Sequence, residues 1–92
     1  MGDKKIDRAT VRERILGIYG DARVFIQGED CNLEVQIISD GFTNMPVLKR
    51  QKSILKLFEA ELASGALHAL SIRARTPSEA NATASSLVQL DS

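Results

Sequence analysis

The fold is organised around the stretch Gly65-Ala66-Leu67-His68-Ala69-Leu70-Ser71-Ile72-Arg73, which contains the only histidine of the chain. Gly65 has the backbone freedom that commonly ends a helix. His68, Leu70 and Ile72 then recur at every second position, which is typical of a half-buried strand. The pattern predicts that His68 opens a strand at the rim of a sheet, where a ring nitrogen is accessible. These residues alone nevertheless favour the other interpretation, a histidine that packs over the core, with backbone groups satisfying its nitrogens.

The composition indicates one small globular domain. The chain has 92 residues, of which 43% are hydrophobic and 26% are charged, which is enough for a modest core. Twelve basic and twelve acidic residues cancel, so no overall charge attracts nucleic acid or an anionic membrane. A single cysteine cannot form an internal disulfide, and the amino terminus has no apolar targeting stretch. We therefore expect a reducing, cytoplasmic location and no membrane association.

Apolar spacing predicts a first helix and then a hairpin of two strands. Asp7 or Thr10 caps the helix, and its arginines face solvent. The predicted buried stripe of this helix consists of Val11, Ile15 and Ile18. The two segments that follow alternate with period two, so they form an antiparallel hairpin with Cys31 near its tip.

A second helical region is predicted between the hairpin and the third strand, from near Pro46 to about Ala63. Its predicted buried side consists of Leu48, Leu55, Phe58 and Leu62. After the third strand, Thr76-Pro77-Ser78-Glu79 has the spacing of a capping box, followed by weak helix formers. We therefore divide the chain into a domain at 1–77 and a flexible or weakly helical tail at 78–92.

The order strand, helix, strand predicts where Cys31 and His68 lie relative to each other. Such a crossover within one sheet normally makes its two strands parallel, so strands two and three start at the same end. Cys31 immediately precedes strand two and His68 begins strand three, so the two residues share an edge if these strands are neighbours. One thiolate and one imidazole are too few for a closed four-coordinate site. A partner or a small molecule would then supply the remaining ligands of a shared metal site.

Three segments of the chain resemble the BolA family: Asp30-Cys31-Asn32-Leu33-Glu34-Val35, Lys49-Arg50-Gln51 and Leu67-His68-Ala69-Leu70-Ser71-Ile72. The resemblance extends from about Val11 to Pro77, and the third segment is its most specific part. It implies an α+β domain with the element order α-β-β-α(α)-β and a fold related to the type II KH domain. The sheet is then three-stranded and mixed, with the helices packed on one face.

The same resemblance implies a function. Members of the family are small non-enzymatic partners of monothiol glutaredoxins in iron–sulfur cluster assembly, trafficking or sensing, with roles in the stress response. His68 matches the family's histidine, which binds a [2Fe-2S] cluster shared with a glutaredoxin and glutathione. Cys31 matches the ligand in the variable loop. We therefore expect His68 and Cys31 to be metal ligands and the isolated chain to hold no cluster.

Two other functions are open at the level of sequence. KH-like topology and the transcriptional roles attributed to BolA relatives suggest nucleic-acid binding, although the segment 43–46 lacks the glycines of a KH GxxG loop, so we expect only weak DNA binding. The residues that would contact phosphate are Lys49, Arg50, Lys52 and Lys56. The other alternative is a structural adaptor that docks through Phe25 and Ile38 on the open sheet face. No standard catalytic motif is present, so we expect no enzymatic activity.

Overall fold

The elements of the described part of the chain follow the order that the apolar spacing predicts. The structure is a computed structural model that describes residues 6–29 and 32–81. Residues 77–81 are also helical. The other elements are α1 (Arg8–Ile18), β1 (Arg23–Glu29), β2 (Asn32–Ile38), a 3₁₀ helix (Asp40–Phe42), α2 (Val47–Leu55), a second 3₁₀ helix (Lys56–Phe58), α3 (Glu59–Ser64) and β3 (Ala69–Arg75).

β2 is the central strand of a mixed sheet with the order β1-β2-β3 in the described residues. β1 and β2 are antiparallel, with Glu29 opposite Asn32 next to the turn. β2 and β3 are parallel, with Asn32 opposite Ala69. The prediction of an α+β domain with a three-stranded mixed sheet, whose second and third strands are parallel neighbours, is therefore confirmed.

The hydrophobic core lies between one face of this sheet and the helices. Leu33, Val35 and Ile37 on β2 are buried, whereas the residues between them are only partly buried. This alternation indicates that helices cover one face and leave the other open, as predicted. The helices and turns contribute the remaining buried apolar residues: Val11, Ile15, Phe42, Ile54, Phe58 and Leu67. In residues 6–29 and 32–81, no helix combines the length and the apolar character that a bilayer-spanning segment needs.

α1 agrees with its predicted cap but departs from its predicted stripe at one position. Asp7 is the N-cap, because its carboxylate accepts a hydrogen bond from the N–H of Thr10 at 2.8 Å. The first two residues of the predicted stripe are buried, whereas Ile18 is 49% exposed and its assignment to the core is wrong. The helix ends at Ile18, and the next residue, Tyr19, packs against Phe42 with ring centroids 4.4 Å apart.

α2 buries a different face from the predicted one. Its buried residues are Arg50 and Ile54, whereas Leu48 is 64% exposed, so the assignment of Leu48 to the core is wrong. The 3₁₀ helix Lys56–Phe58 interrupts the α-helical period between α2 and α3. Spacing counted continuously from Leu48 to Phe58 therefore does not describe one helical face.

Arg8 and Arg12 of α1 are exposed, as predicted, and Arg14 is partly buried, but all three also donate hydrogen bonds to neighbouring elements. Arg8 donates a hydrogen bond to the carbonyl oxygen of Gly28, and Arg12 donates one to that of Val24 at 3.2 Å. Both acceptors belong to β1, an outer strand of the sheet. The two arginines therefore attach α1 to the backbone of β1.

Arg14 attaches α1 to the segment after α2. Its Nη1 and Nη2 donate to the two carboxylate oxygens of Glu61 at 2.8 and 2.6 Å, and Nη1 also donates to the carbonyl oxygen of Leu57 at 2.8 Å. The guanidinium lies 5.4 Å from the centroid of the Phe58 ring. The hydrogen bond from Arg14 holds the pKa of Glu61 below its usual value. The pair thus links α1 to α3 beside the core.

Arg50 attaches α2 to the backbone of β3 and to the helical residues that follow this strand. Its Nη1 donates to the carbonyl oxygen of Ala74 at 3.0 Å, and the adjacent Gln51 donates to that of Ile72 at 3.4 Å. Nη1 and Nη2 of Arg50 also donate to the carboxylate of Glu79 at 2.6 and 3.0 Å. Arg50, which the nucleic-acid alternative places among the phosphate-contacting residues, is therefore buried among polar partners.

Glu79 also completes the predicted capping box. Its carboxylate accepts from the N–H of Thr76 at 3.0 Å, and its own N–H donates to Oγ1 of Thr76 at 3.1 Å. The box starts the helical residues 77–81, and the pair with Arg50 attaches them to the domain. Residues 82–92 of the predicted tail lie outside the described residues.

The Arg50–Glu79 pair should make stability depend on acidity. The hydrogen bond from Arg50, followed by that from the N–H of Thr76, lowers the pKa of Glu79 from 4.5 to about 2. The folded state binds the proton of the Glu79 carboxyl less tightly than the unfolded state does. The stabilisation of the fold by the pair is therefore complete above about pH 4.5 and is lost as the pH falls towards about 2. We expect Glu79→Gln to lower the melting temperature at neutral pH. On acidification, the melting temperature of this variant should fall less than that of the wild type.

Thermal melts followed by circular dichroism over a series of pH values measure this effect. Glu13→Gln is the control, because Glu13 is an exposed carboxylate of α1. The prediction is contradicted if Glu79→Gln and the wild type lose stability in parallel as the pH falls.

Candidate functional site

His68 lies in the turn between α3 and β3, one residue before the strand begins. α3 ends at Ser64 with Gly65 as its C-cap, and the N–H of Gly65 donates to the carbonyl oxygen of Glu61 at 3.1 Å. Leu67 is completely buried and anchors the turn, whereas the next side chain, His68, is exposed. The structure therefore places His68 at the rim of the sheet and not in the core.

Gly65 lies beside the imidazole ring of His68, and its backbone angle, rather than lack of space, is what favours glycine there. An added Cβ on Gly65 would lie 3.7 Å from Nε2 and 3.9 Å from Cδ2 of His68. Gly65 also has a φ of 89°, a conformation that strains residues with a side chain. The sequence pattern identifies Gly65 only as a helix end, but the structure shows that it also lies against the candidate ligand.

The parallel pairing of β2 and β3 brings the two candidate ligand segments to one edge of the sheet. Asn32, which follows Cys31, is paired with Ala69, which follows His68. Neighbouring strands lie about 4.8 Å apart. Cys31 itself lies outside the described residues, so the pairing of Asn32 and Ala69 is the observation that relates the two positions.

The hairpin that carries Cys31 is short. Because Glu29 is opposite Asn32, the connection consists of Asp30 and Cys31, which both lie outside the described residues. Gly28 has a φ of 113°, and an added Cβ would lie 2.2 Å from the carbonyl oxygen of Asn32. A glycine is therefore required where the strand enters this connection.

Among the described residues, His68 has too few neighbouring donors for a metal site within one chain. In residues 6–29 and 32–81, no three side chains of the His, Cys, Asp or Glu type are grouped so that they could hold a metal ion. His68 offers an exposed imidazole directly before β3. The sequence places the thiol of Cys31 directly before β2, the strand that pairs with β3. An iron–sulfur cluster needs more protein ligands than these two residues provide.

The residues proposed for the alternative functions are distributed over separate surfaces. Lys49, Lys52 and Lys56 are exposed, whereas Arg50 is only 6% exposed and donates to partners within the protein. Arg50 therefore does not belong to the same surface as the three lysines. On the open sheet face, Phe25 is 49% exposed, and Ile38 is partly buried.

Comparisons with known proteins relate both the sequence and the fold to one family. The family model for BolA-like protein matches residues 20–79. Protein BOLA1, chloroplastic, from Arabidopsis thaliana is 43% identical over 51 residues, which are 55% of this chain and 31% of that protein. SufE-like protein 1, chloroplastic/mitochondrial, from the same organism is 44% identical over 50 residues, which are 54% of this chain and 13% of that protein. The chain thus matches less than a third of the length of either relative.

A solved structure agrees with these matches. BolA1 from Arabidopsis thaliana has a TM-score of 0.70 and 30% sequence identity, with coverage of 80% of this chain and 98% of that chain. The family model matches more than half of the residues, and the sheet order and the helices correspond to the same architecture. This chain therefore belongs to the BolA family.

Proposed function

We propose that this protein is a non-enzymatic partner of a monothiol glutaredoxin and that the two proteins share a [2Fe-2S] cluster through His68 and Cys31. The exposure of His68 at the sheet edge where Asn32 and Ala69 pair is the observation that carries the proposal. Family membership supports an iron–sulfur role, and the matching segment of SufE-like protein 1 supports it further.

The chemistry of the two side chains agrees with a shared site. The chain contributes one imidazole and one thiol, so the glutaredoxin and glutathione contribute the other ligands. A neutral imidazole in place of a thiolate makes a cluster less negative, raises its reduction potential and provides a bond that protons can break. These properties suit a cluster that is transferred or sensed rather than stored.

The two residues are held differently by the chain. His68 lies between buried Leu67 and the first residue of β3, so its backbone is fixed on both sides. Cys31 belongs to a two-residue hairpin connection. We therefore expect His68 to be the more difficult ligand to replace, because another donor can more easily take the place of a ligand in a short turn.

The proposal predicts how the complex with a glutaredoxin assembles. After anaerobic mixing with a monothiol glutaredoxin, glutathione, iron and sulfide, the wild type should form a coloured one-to-one complex, whereas the isolated chain should hold no stable cluster. His68→Ala should abolish or strongly destabilise the complex. Visible absorption, circular dichroism and size-exclusion chromatography measure these outcomes.

Ser71→Ala is the matched control for this experiment, because Ser71 is an exposed residue of the same strand and should not affect assembly. The assignment of His68 fails if folded His68→Ala protein gives a complex with the wild-type spectrum and cluster lifetime. A stoichiometric cluster on the isolated wild-type monomer would instead refute the need for a partner.

A second prediction concerns Cys31. We expect Cys31→Ser to form the complex with an altered spectrum and to lose the cluster faster than the wild type, because the serine oxygen is a poorer ligand for iron than a thiolate. The decay of visible absorption after addition of a chelator measures the rate. Retention of the wild-type spectrum and decay rate would show that Cys31 is not a ligand.

The exposure of His68 also predicts that its substitution leaves the fold intact. In the metal-free protein, His68→Ala should lower the free energy of unfolding by less than about 0.5 kcal/mol, as expected for a surface position. Leu67→Ala should lower it by about 2–5 kcal/mol, because it removes a fully buried side chain from the adjacent position. Urea unfolding measures both values, and equal losses would contradict the rim position of His68.

A further inference from the structure

Two exposed apolar side chains lie next to each other at the start of α2. Val47 is 63% exposed and Leu48 is 64% exposed. α2 packs against the core through Arg50 and Ile54, so the fold does not require an apolar residue at either exposed position. Single exposed apolar residues are ordinary, but two in succession leave apolar area uncovered around the start of the helix.

Exposed basic side chains follow this apolar pair along the helical segment. Lys49, Lys52 and Lys56 are exposed, and the sequence from Val47 to Phe58 contains no acidic residue. The whole chain has equal numbers of acidic and basic residues, so this helix is a local concentration of positive charge. A complementary partner therefore carries carboxylates or phosphates.

A groove continues the surface from Val47 towards β3. The groove has a volume of about 340 Å³, and Glu79, which also lines it, has its carboxylate paired with Arg50. The groove can accept an apolar side chain next to basic groups. Its apolar and basic lining consists of Val47, Ile72, Ala74, Arg50, Arg73 and Arg75.

We propose that the start of α2 and this groove form a docking surface for an acidic segment of another protein. Aliphatic or aromatic side chains of that segment cover Val47 and Leu48 and enter the groove, while its carboxylates face the lysines of α2. A nucleic acid contacts basic groups mainly through its phosphates and would leave this apolar pair in water. The combination of an apolar pair, a groove and neighbouring basic side chains therefore favours a protein partner.

This docking surface lies away from the His68 edge. Arg50 and Gln51 of α2 contact the carbonyl oxygens of Ala74 and Ile72 in β3. Ala74 is about 16 Å along the strand from Ala69, which follows His68, at about 3.3 Å per residue. The docking surface is therefore distinct from the His68 edge, and the inference does not depend on the cluster.

Selection from a phage-displayed library of random peptides of about twelve residues tests the docking surface. Immobilised wild-type protein should enrich peptides that combine Asp or Glu with Leu, Phe or Trp. Fluorescence polarisation should show that a selected peptide binds about tenfold or more weakly to Val47→Ser/Leu48→Ser, because the apolar anchor is lost. Lys49→Ala/Lys52→Ala should also weaken binding, with a decrease that is smaller at high salt.

Matched variants separate docking from folding and from the cluster site. Ile18→Ser removes an exposed aliphatic side chain from α1 and should leave peptide binding unchanged. His68→Ala should also bind the peptide like the wild type. The docking variants change exposed side chains, so their thermal melts should stay close to that of the wild type.

Three results would overturn the proposal. The first is a selection that yields no acidic, apolar consensus, and the second is peptide binding that Val47→Ser/Leu48→Ser does not weaken. The third is tighter binding of an oligodeoxythymidine of about twelve nucleotides, or of vesicles with about one third phosphatidylserine, than of the selected peptide. That result would assign the surface to nucleic acid or to a membrane instead.

Discussion

The parallel pairing of β2 with β3 is the constraint on which the rest of the structure depends. Parallel neighbours cannot be joined by a tight turn, so the chain must return to the starting end of β2 before it enters β3. α2, the 3₁₀ helix and α3 make this return and cover the core face of the sheet on the way. The same return brings the residue before each strand to one edge. The position of His68 beside the hairpin is thus a direct result of the topology.

Polar contacts of two arginines hold this return path in place. Arg14 joins α1 to α3 through Glu61, and Arg50 joins α2 to β3 and to Glu79. Exposed ion pairs contribute little to stability, but Arg50 is buried. Removal of the Glu79 carboxylate would leave the charge of Arg50 uncompensated within the protein. In a small domain with a modest core, such a pair matters for the position of the helices as well as for their stability.

The features that could be predicted from the sequence are those with local causes. Period-two alternation identified the strands, and the crossover rule related the start of β2 to the start of β3. The burial of Arg50 could not be predicted in this way, because it depends on Glu79, 29 residues later, and on the backbone of β3. Leu48 is assigned to the wrong face because the buried face of α2 contains an arginine, Arg50, which an apolar pattern does not count. The position of His68 at the rim is predictable from the strand pattern, but its exposure is not, and its proximity to Gly65 depends on a backbone angle.

The hydrogen bonds from helix side chains to the outer strands determine how another protein can attach. An outer strand with unoccupied carbonyl groups invites a further strand to pair with it. Here Arg8 and Arg12 occupy carbonyl oxygens of β1, and Arg50 and Gln51 occupy those of β3. These side chains therefore reduce the number of backbone acceptors that either outer strand offers to a further strand, and they protect the short sheet from edge-to-edge association.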